Sequence, residues 1–330
     1  MTGVEVTTGA RLHFGLMCGA PDSGWHYGGI GMMIDTPAWH VRLAGAANAP
    51  ADRISASPAV QQRIAGLLSR FRRHEADVGP VQCAVPGETD FHAGLGSGTQ
   101  LTLAVATGLK VLAGQGRPAD IGTVAARLGR NRRSAIGTFG FDHGGFVVDR
   151  GKSHSADSAR QRLHFPDEWR MLLICPTQTQ GLYGRKEEHF FGTKAYLQTS
   201  VLQQIASEIE SGVLPGLRDH DYHTFATALA TYGRLIGEYY ASEQGGIYSS
   251  ALIRDLAEWL RSQNLPQPVQ SSWGPTVCIP AESVAHAETL TQAVSDRIGG
   301  DSAVTITVAK GLNSGALVRT IAPENQRSFG

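Results

Sequence analysis

The sequence predicts an α+β protein of two domains. Two observations set the class: β-like runs with period-two alternation are interleaved with amphipathic helical runs, and no internal repeat or low-complexity stretch interrupts them. A third sets the organisation. The chain has 330 residues, and at roughly 150 residues per domain that is material for two. The polar, apolar-poor stretch 151–162 then places a boundary between an N-terminal domain, 1–162, and a C-terminal one, 163–330.

Runs 4–16 and 30–44 read as strands, the second interrupted by Asp35-Thr36-Pro37, which suits a turn or an edge. Run 58–73 reads as a helix because Val60, Ile64, Leu67, Leu68 and Phe71 recur at intervals of three and four. Its end, Arg70-Phe71-Arg72-Arg73-His74, reads as a polar face and a charge complement to the helix C-terminus. A short strand at 81–85 leads to a glycine-rich turn, then come helices at 101–112 and 120–129 and a strand at 144–149. The second half gives a strand at 170–175, a polar loop at 177–188 and helices at 196–211, 223–240 and 248–262. Strands at 270–279 and 303–309 flank a last helix at 282–298.

Lys plus Arg and Asp plus Glu number 29 each, so the net charge is zero and no global field favours nucleic acid or an anionic membrane surface. Any anion must be held locally. Residues 1–12 contain no apolar signal-like core, and no run approaches the roughly 18 apolar residues that a bilayer span needs. The expectation is a soluble, cytoplasmic protein. Cys18, Cys83, Cys175 and Cys278 are far apart, without CxxC spacing, and read as reduced structural thiols.

His92-Ala93-Gly94-Leu95-Gly96-Ser97-Gly98-Thr99-Gln100 runs straight into the apolar segment 101–112. Three glycines in five residues allow close backbone approach, and the first N–H groups of a helix present the positive end of its dipole. The guest that suits Gly94, Gly96, Ser97, Gly98, Thr99 and Gln100 is a phosphate or diphosphate; an ordinary turn before a helix is the alternative.

Six segments occur in one order: Arg11-Leu12-His13-Phe14-Gly15-Leu16, Gly28-Gly29-Ile30-Gly31, the loop 94–100, Arg133-Ser134-Ala135-Ile136-Gly137, Phe141-Asp142-His143-Gly144-Gly145-Phe146 and Gln270-Ser271-Ser272-Trp273-Gly274-Pro275-Thr276. Together, over nearly the whole chain, they resemble the β-ribofuranosylaminobenzene 5'-phosphate synthases of the GHMP kinase superfamily. The resemblance implies an N-terminal α/β domain with a left-handed βαβ crossover and a C-terminal ferredoxin-like domain. It implies a decarboxylating phosphoribosyltransferase that condenses phosphoribosyl pyrophosphate with 4-aminobenzoate. That reaction releases carbon dioxide and pyrophosphate and forms a C-riboside in tetrahydromethanopterin biosynthesis. It also implies a homodimer, with Mg2+ assisting departure of pyrophosphate. The chemistry needs no redox cofactor and no pyridoxal phosphate, because the ring amino group supplies the electrons.

Kinases of the superfamily often carry an aspartate ahead of the Gly-Gly strand; spacing back from Gly144-Gly145, that position is Gly137. A glycine side chain neither accepts a proton nor binds magnesium, which disfavours an ATP-dependent small-molecule kinase. A C-nucleoside synthase with a heteroaromatic carboxylate as acceptor is the other alternative.

Arg11 and His13 share one face of the first strand and are expected to pair with phosphate or the aromatic carboxylate, a surface strand being the alternative. Asp142, with His143, is a candidate for proton or metal handling. In the run Arg130, Arg132, Arg133 the last is the preferred phosphate ligand; a solvated helix end is the alternative. Gly28 and Gly29, Ser271 and Ser272, and Trp273 as a wall for the aromatic ring are expected at the substrate. In the segment 181–189, Gly181 and Gly184 permit loop closure and Arg185 is a candidate anion clamp, ahead of Glu187-Glu188-His189. His220-Asp221-Tyr222-His223 has metal-ligand residue types but reads better as a helix cap. The magnesium ligands are not assigned.

Overall fold

A computed structural model describes residues 3–47, 49–75, 78–87, 93–130, 134–151, 160–179, 181, 185–194, 196–299 and 303–322. Its first half runs β1 (Gly3–Cys18), β2 (His26–Gly45), β3 (Arg53–Ser55), α1 (Pro58–His74), β4 (Val81–Gly87), α2 (Ser97–Leu112), α3 (Ile121–Arg127), α4 (Ile136–His143), β5 (Phe146–Asp149) and β6 (Arg160–Leu163). The second half runs β7 (Arg170–Pro176), α5 (Arg185–Thr193), α6 (Thr199–Glu208), a π-helical turn (Ile209–Val213), α7 (Leu214–Arg218), α8 (Tyr222–Gln244) and α9 (Ala251–Ser262). It ends with β8 (Val269–Gln270), β9 (Val277–Ala281), α10 (Val284–Ile298), β10 (Val304–Lys310) and β11 (Leu317–Ile321).

β1 and β2 form a long antiparallel pair at the centre of the first sheet. β2 is long enough to take two partners, β5 along Gly29–Met32 and β4 along His40–Gly45. β3, α1 and β4 make a βαβ unit whose strands pair in parallel. The buried residues of α1 are the expected Val60, Ile64, Leu67, Leu68 and Phe71, and they close a core with α2, α3 and the outer half of β2. The second sheet has the order β10-β7-β9-β8, all neighbours antiparallel, which is the strand order of a ferredoxin-like βαββαβ unit. Alternation along β7 serves both faces: Leu172 and Ile174 pack with α9 and α10, while Met171 and Leu173 face the core shared with α8 and β1.

Helix α8 joins the two sheets. Tyr232 donates its hydroxyl to the Gly15 carbonyl (3.0 Å), and Tyr240 both accepts from Leu16 N and donates to Leu16 O at 3.0 Å. These bonds fix the middle of β1, where Arg11 and His13 lie, against the C-terminal half.

Several elements differ from the sequence reading. β2 passes through Asp35-Thr36-Pro37 without a break, because a register shift between Gly9 and Ala10 absorbs the irregularity. The segment 270–279 is two short strands separated by a tight turn, since Val277 returns to pair with Gln270. Arg185 and Glu187-Glu188-His189 lie on α5 rather than in a loop. The helix expected at 196–211 continues through the π-helical turn to Arg218. The 162/163 division falls inside β6, whose Leu163 pairs with Phe146 in the first sheet, and β11 crosses back to pair with β1. Asp221 caps α8, accepting from Thr224 N at 3.1 Å, and no group of three or more metal-ligating side chains occurs among the described residues.

Candidate active site

Arg11 and His13 point to one side of β1, while Leu12 and Phe14, on the other, are fully buried. Two distant segments close over them. The turn between β8 and β9 docks by Ser272 N donating to the His13 carbonyl (2.6 Å) and His13 N donating to Ser271 Oγ (3.1 Å). The glycine turn before α2 docks by Arg11 N donating to Leu95 O (3.0 Å). Ser271 Oγ donates to Gly94 O (2.8 Å), and Arg11 Nη1 donates to both Gly94 O (3.1 Å) and Ser272 Oγ (2.8 Å). One guanidinium thus ties three segments together. Among the described residues its Nε and Nη2 make no hydrogen bond.

The backbone there has little freedom. Gly94 and Gly96 have φ of +81° and +69°, and a Cβ on Gly94 would run into the Ser271 carbonyl while one on Gly96 would sit 2.6 Å from Arg11 Cγ. Ser272 itself sits at φ +55°, a conformation costing about 1–2 kcal/mol for a residue with a side chain. The surrounding bonds hold it: Gln270 Nε2 donates to Ser272 O, and Gln270 Oε1 accepts from Ser249 N.

Burial pushes Arg11 down to about 10, opposed by the nearby Glu187 carboxylate, so it remains a cation at neutral pH. Burial, and then the Arg11 charge, holds His13 well below the usual histidine range. The basic pair of the first strand is therefore one cation and one neutral imidazole. Nδ1 of His13 accepts from Gly15 N at 3.1 Å, which places the ring proton on Nε2.

At the start of α2, Gly96 is the left-handed N-cap residue and no side chain caps the helix. Thr99 N and Gln100 N turn back to Gly96 O, and the Ser97 carbonyl accepts from Trp39 Nε1 (3.0 Å). Gln100 departs from its expected phosphate role. It is fully buried, accepting from Thr8 Oγ1 and donating to Gly137 O, both at 2.8 Å, and so braces α2 against β1 and α4. Two arginines flank Gly98: a Cβ there would lie 2.8 Å from Arg63 Nη1 and 3.2 Å from Arg130 Nη2. Sequence reasoning missed Arg63, whose helical face looks like an ordinary solvated one. It rated Arg130 below Arg133.

Other expected residues lie elsewhere. Asp142 pairs with Arg117 at 3.0 Å. It is five residues beyond Gly137 on α4, about 7.5 Å along the axis and on another face, so helix geometry keeps it from Arg11. Gly28 and Gly29 are buried where strands crowd: a Cβ on Gly28 would meet Asp149 O at 2.7 Å and one on Gly29 would meet Gly15 O at 2.6 Å. Trp273 is 5% exposed, stacked on Tyr240 with centroids 4.4 Å apart and edge-on to Phe190 at 4.8 Å. It therefore braces the turn instead of presenting a ring face. Gly181 packs against the carbonyls of Trp273 and Gly274. Arg185 opens α5, with its side chain outside the described set. His92, Arg132, Arg133 and Gly184 also lie outside the described residues. Gly137 sits in the first turn of α4, and a Cβ there would meet Gln100 and Thr99 at 3.7 Å and Arg11 Cγ at 3.8 Å, ordinary contacts. A Cβ would fit at that position, which the sequence leaves as glycine.

No family model matches the chain. It is similar to the beta-ribofuranosylphenol 5'-phosphate synthase of Archaeoglobus fulgidus, 28% identical over 291 residues covering 83% of this chain and 86% of that one. It is also similar to that of Methanothermobacter thermautotrophicus, 25% identical over 291 residues, 82% and 87% covered. Among solved structures, homoserine kinase from Cytophaga hutchinsonii superposes with a TM-score of 0.63 at 16% identity, covering 96% of this chain and 97% of the other. MDDEF in complex with MVAPP, AMPPCP and magnesium gives 0.67 at 12% identity, covering 96% and 99%. The architecture is the GHMP kinase fold, a mixed α/β arrangement of two sheets, within which a neighbour binds magnesium together with a nucleotide analogue. Among the described residues, no helix is long and apolar enough to cross a membrane.

Proposed function

We propose that this homologue of the beta-ribofuranosylphenol 5'-phosphate synthases is a decarboxylating phosphoribosyltransferase acting as a cytoplasmic homodimer, joining phosphoribosyl pyrophosphate to a para-substituted benzoate. The observation that carries this reading is a cationic cradle beside a glycine at the position of the expected kinase aspartate. Arg11, Arg63 and Arg130 surround the first turn of α2, and Gly137 stands where an aspartate is expected in a kinase of this fold.

The donor's anionic groups bind at the N-terminus of α2, with Arg11 supplying charge-assisted hydrogen bonds from a desolvated position. As the C1–oxygen bond of the ribose breaks, its electron pair leaves with pyrophosphate, and cationic donors stabilise the charge that accumulates there. The ring carbon bearing the carboxylate attacks C1 from the position para to the electron-donating substituent. Carbon dioxide then departs, its bonding pair restoring aromaticity. No ring proton is removed, so the reaction has no need of the carboxylate base that Gly137 fails to provide. Neutral His13 offers an Nε2–H donor that orients a substrate oxygen without adding charge.

The name of the relatives prints a phenol, which makes 4-hydroxybenzoate the matching acceptor; the motif resemblance points to 4-aminobenzoate. Both substituents donate electrons to the same ring carbon. Mg2+ would arrive on the donor's diphosphate, with most of its ligands from phosphate and water. No step is assigned to it.

The test is release of labelled carbon dioxide from each carboxyl-labelled acid, with phosphoribosyl pyrophosphate and magnesium. Donor-dependent release is expected from at least one acid. Absence of release from both, with ATP consumed in the presence of small alcohols, overturns the reading in favour of a kinase.

A further inference from the structure

Tyr27 stands at φ +61°, a left-handed conformation that glycine adopts freely and a tyrosine does not. The cause is local: Met17 pairs with Gly28 and Cys18 with His26, so Tyr27 is the extra residue of a β-bulge near the start of β2. Such a bulge re-aims one side chain, and strain retained there points to a use for that side chain. The ring of Tyr27 lies against His26, with centroids 4.2 Å apart, and edge-on to Phe191 at 6.3 Å. His26 is held in turn by donating its Nδ1 proton to the Gly19 carbonyl (2.9 Å), and it meets Tyr196 edge-on at 6.0 Å.

These rings continue the aromatic layer that braces the serine turn. Phe191 packs edge-on to Trp273 at 5.8 Å, so the layer runs from the turn that holds Arg11 out to Tyr27. Exposure rises along it: Trp273 and Tyr240 are buried, Phe191, Tyr27 and His26 are half-buried, and Tyr196 is 52% exposed. Both members of the Tyr27–Phe191 pair are tied to the candidate site. Two residues past Tyr27, a Cβ on Gly29 would lie 3.4 Å from His13 Cε1. One turn before Phe191 on α5 is Glu187, whose carboxylate acts on the Arg11 guanidinium.

We propose that Tyr27 and Phe191, with His26 and Tyr196 at the rim, form the subsite for the aromatic ring of the acceptor. This rests on the proposed transferase reading. In that reaction the ring carbon bearing the carboxylate meets C1 of the ribose, so the carboxylate end lies by Arg11 and His13 and the ring extends away from them. A flat ring gains edge-to-face and offset contacts from partly exposed aromatic side chains, the role that buried Trp273 does not fill. Tyr27 and Phe191 therefore set a preference for aromatic over saturated acids.

The experiment is calorimetric titration of the full-length protein with 4-hydroxybenzoate, 4-aminobenzoate and cyclohexanecarboxylate, each alone and with ribose 5-phosphate, pyrophosphate and magnesium present. Tyr27→Gly and Phe191→Leu are titrated alongside the unaltered protein, their folding checked by circular dichroism and thermal melts. At least one aromatic acid should bind tenfold or more tighter than cyclohexanecarboxylate. Its affinity should fall tenfold or more in each variant, while that for cyclohexanecarboxylate changes less than twofold. Tyr27→Gly exchanges ring contacts for relief of the left-handed strain, so its Tm should hold as its aromatic affinity falls, a combination that a purely structural ring would not produce. Aromatic affinity unchanged in both folded variants, equal binding of the saturated acid, or no binding of either aromatic acid to the unaltered protein overturns the proposal. Donor-dependent carbon dioxide release with the aromatic KM unchanged in both variants overturns the subsite and leaves the transferase reading standing. Ring binding that depends on Tyr27 and Phe191, without consumption of phosphoribosyl pyrophosphate, does the reverse.

Discussion

Arg11 both assembles the site and carries charge into it. Replacing it with Gln removes the cation and leaves Gly94 O and Ser272 Oγ with weaker partners. Steady-state kinetics of Arg11→Gln should show kcat/KM for the donor reduced 100-fold or more, a loss of about 2.7 kcal/mol. Arg11→Lys should recover only part, because one ammonium cannot span both acceptors and still reach the ligand. His13 makes a prediction of opposite sign in acid. Its folded-state pKa lies well below the ordinary 6.5, so below that pH the unfolded chain binds a proton that the folded chain refuses. Stability should fall as pH drops below 6.5, at up to about 1.4 kcal/mol per pH unit for one proton. His13→Gln should flatten that slope in thermal melts between pH 5 and 6.5; an unchanged slope would remove His13 as its cause. Both residues were legible in the sequence as a period-two pair, but the neutrality of His13 was not, since it follows from burial beside Arg11. The approach of Arg63 and Arg130 to Gly98 was illegible for a different reason: Arg63 lies on α1 and Arg130 just beyond α3, and Arg63 sits on a face that periodicity assigns to solvent.

At the scale of elements, strong periodicity was readable and short irregular pieces were not. The stripe on α1 is the one that its spacing predicts. The run 270–279 has the composition of one strand, yet the residues that matter are those of the turn inside it, held in shape by bonds to His13 and Gly94 that no local pattern encodes. The start of α5 was hidden in a polar, glycine-bearing stretch. Because the glycine turn and the serine turn interlock, a fault in one should propagate to the other. Gly94→Ala adds a Cβ against the Ser271 carbonyl at a left-handed φ of +81°. It should cost about 2–4 kcal/mol and lower Tm by roughly 5 °C or more. A melt indistinguishable from that of the unaltered protein would mean that the two turns do not depend on each other.

For the whole molecule, the two-sheet architecture was legible through ordered motifs rather than through element boundaries. The return of β11 to β1 was not, because Leu317–Ile321 carries no signal of its partner. Joined by α8, the sheets bring residues 11, 94 and 272 to one place on a fold shared with kinases and a structure bound to AMPPCP and magnesium. Fold alone leaves the reaction open; the basic residues around α2 and the glycine at 137 favour glycosyl over phosphoryl transfer. The most direct measurement is phosphorus NMR of the enzyme with phosphoribosyl pyrophosphate, magnesium and 4-hydroxybenzoate or 4-aminobenzoate, beside a parallel sample containing ATP. Conversion of the anomeric diphosphate signal to free pyrophosphate, dependent on the aromatic acid and accompanied by a new sugar 5'-phosphate signal, is the predicted result. An unchanged donor spectrum with either acid, together with conversion of ATP to ADP, would contradict it.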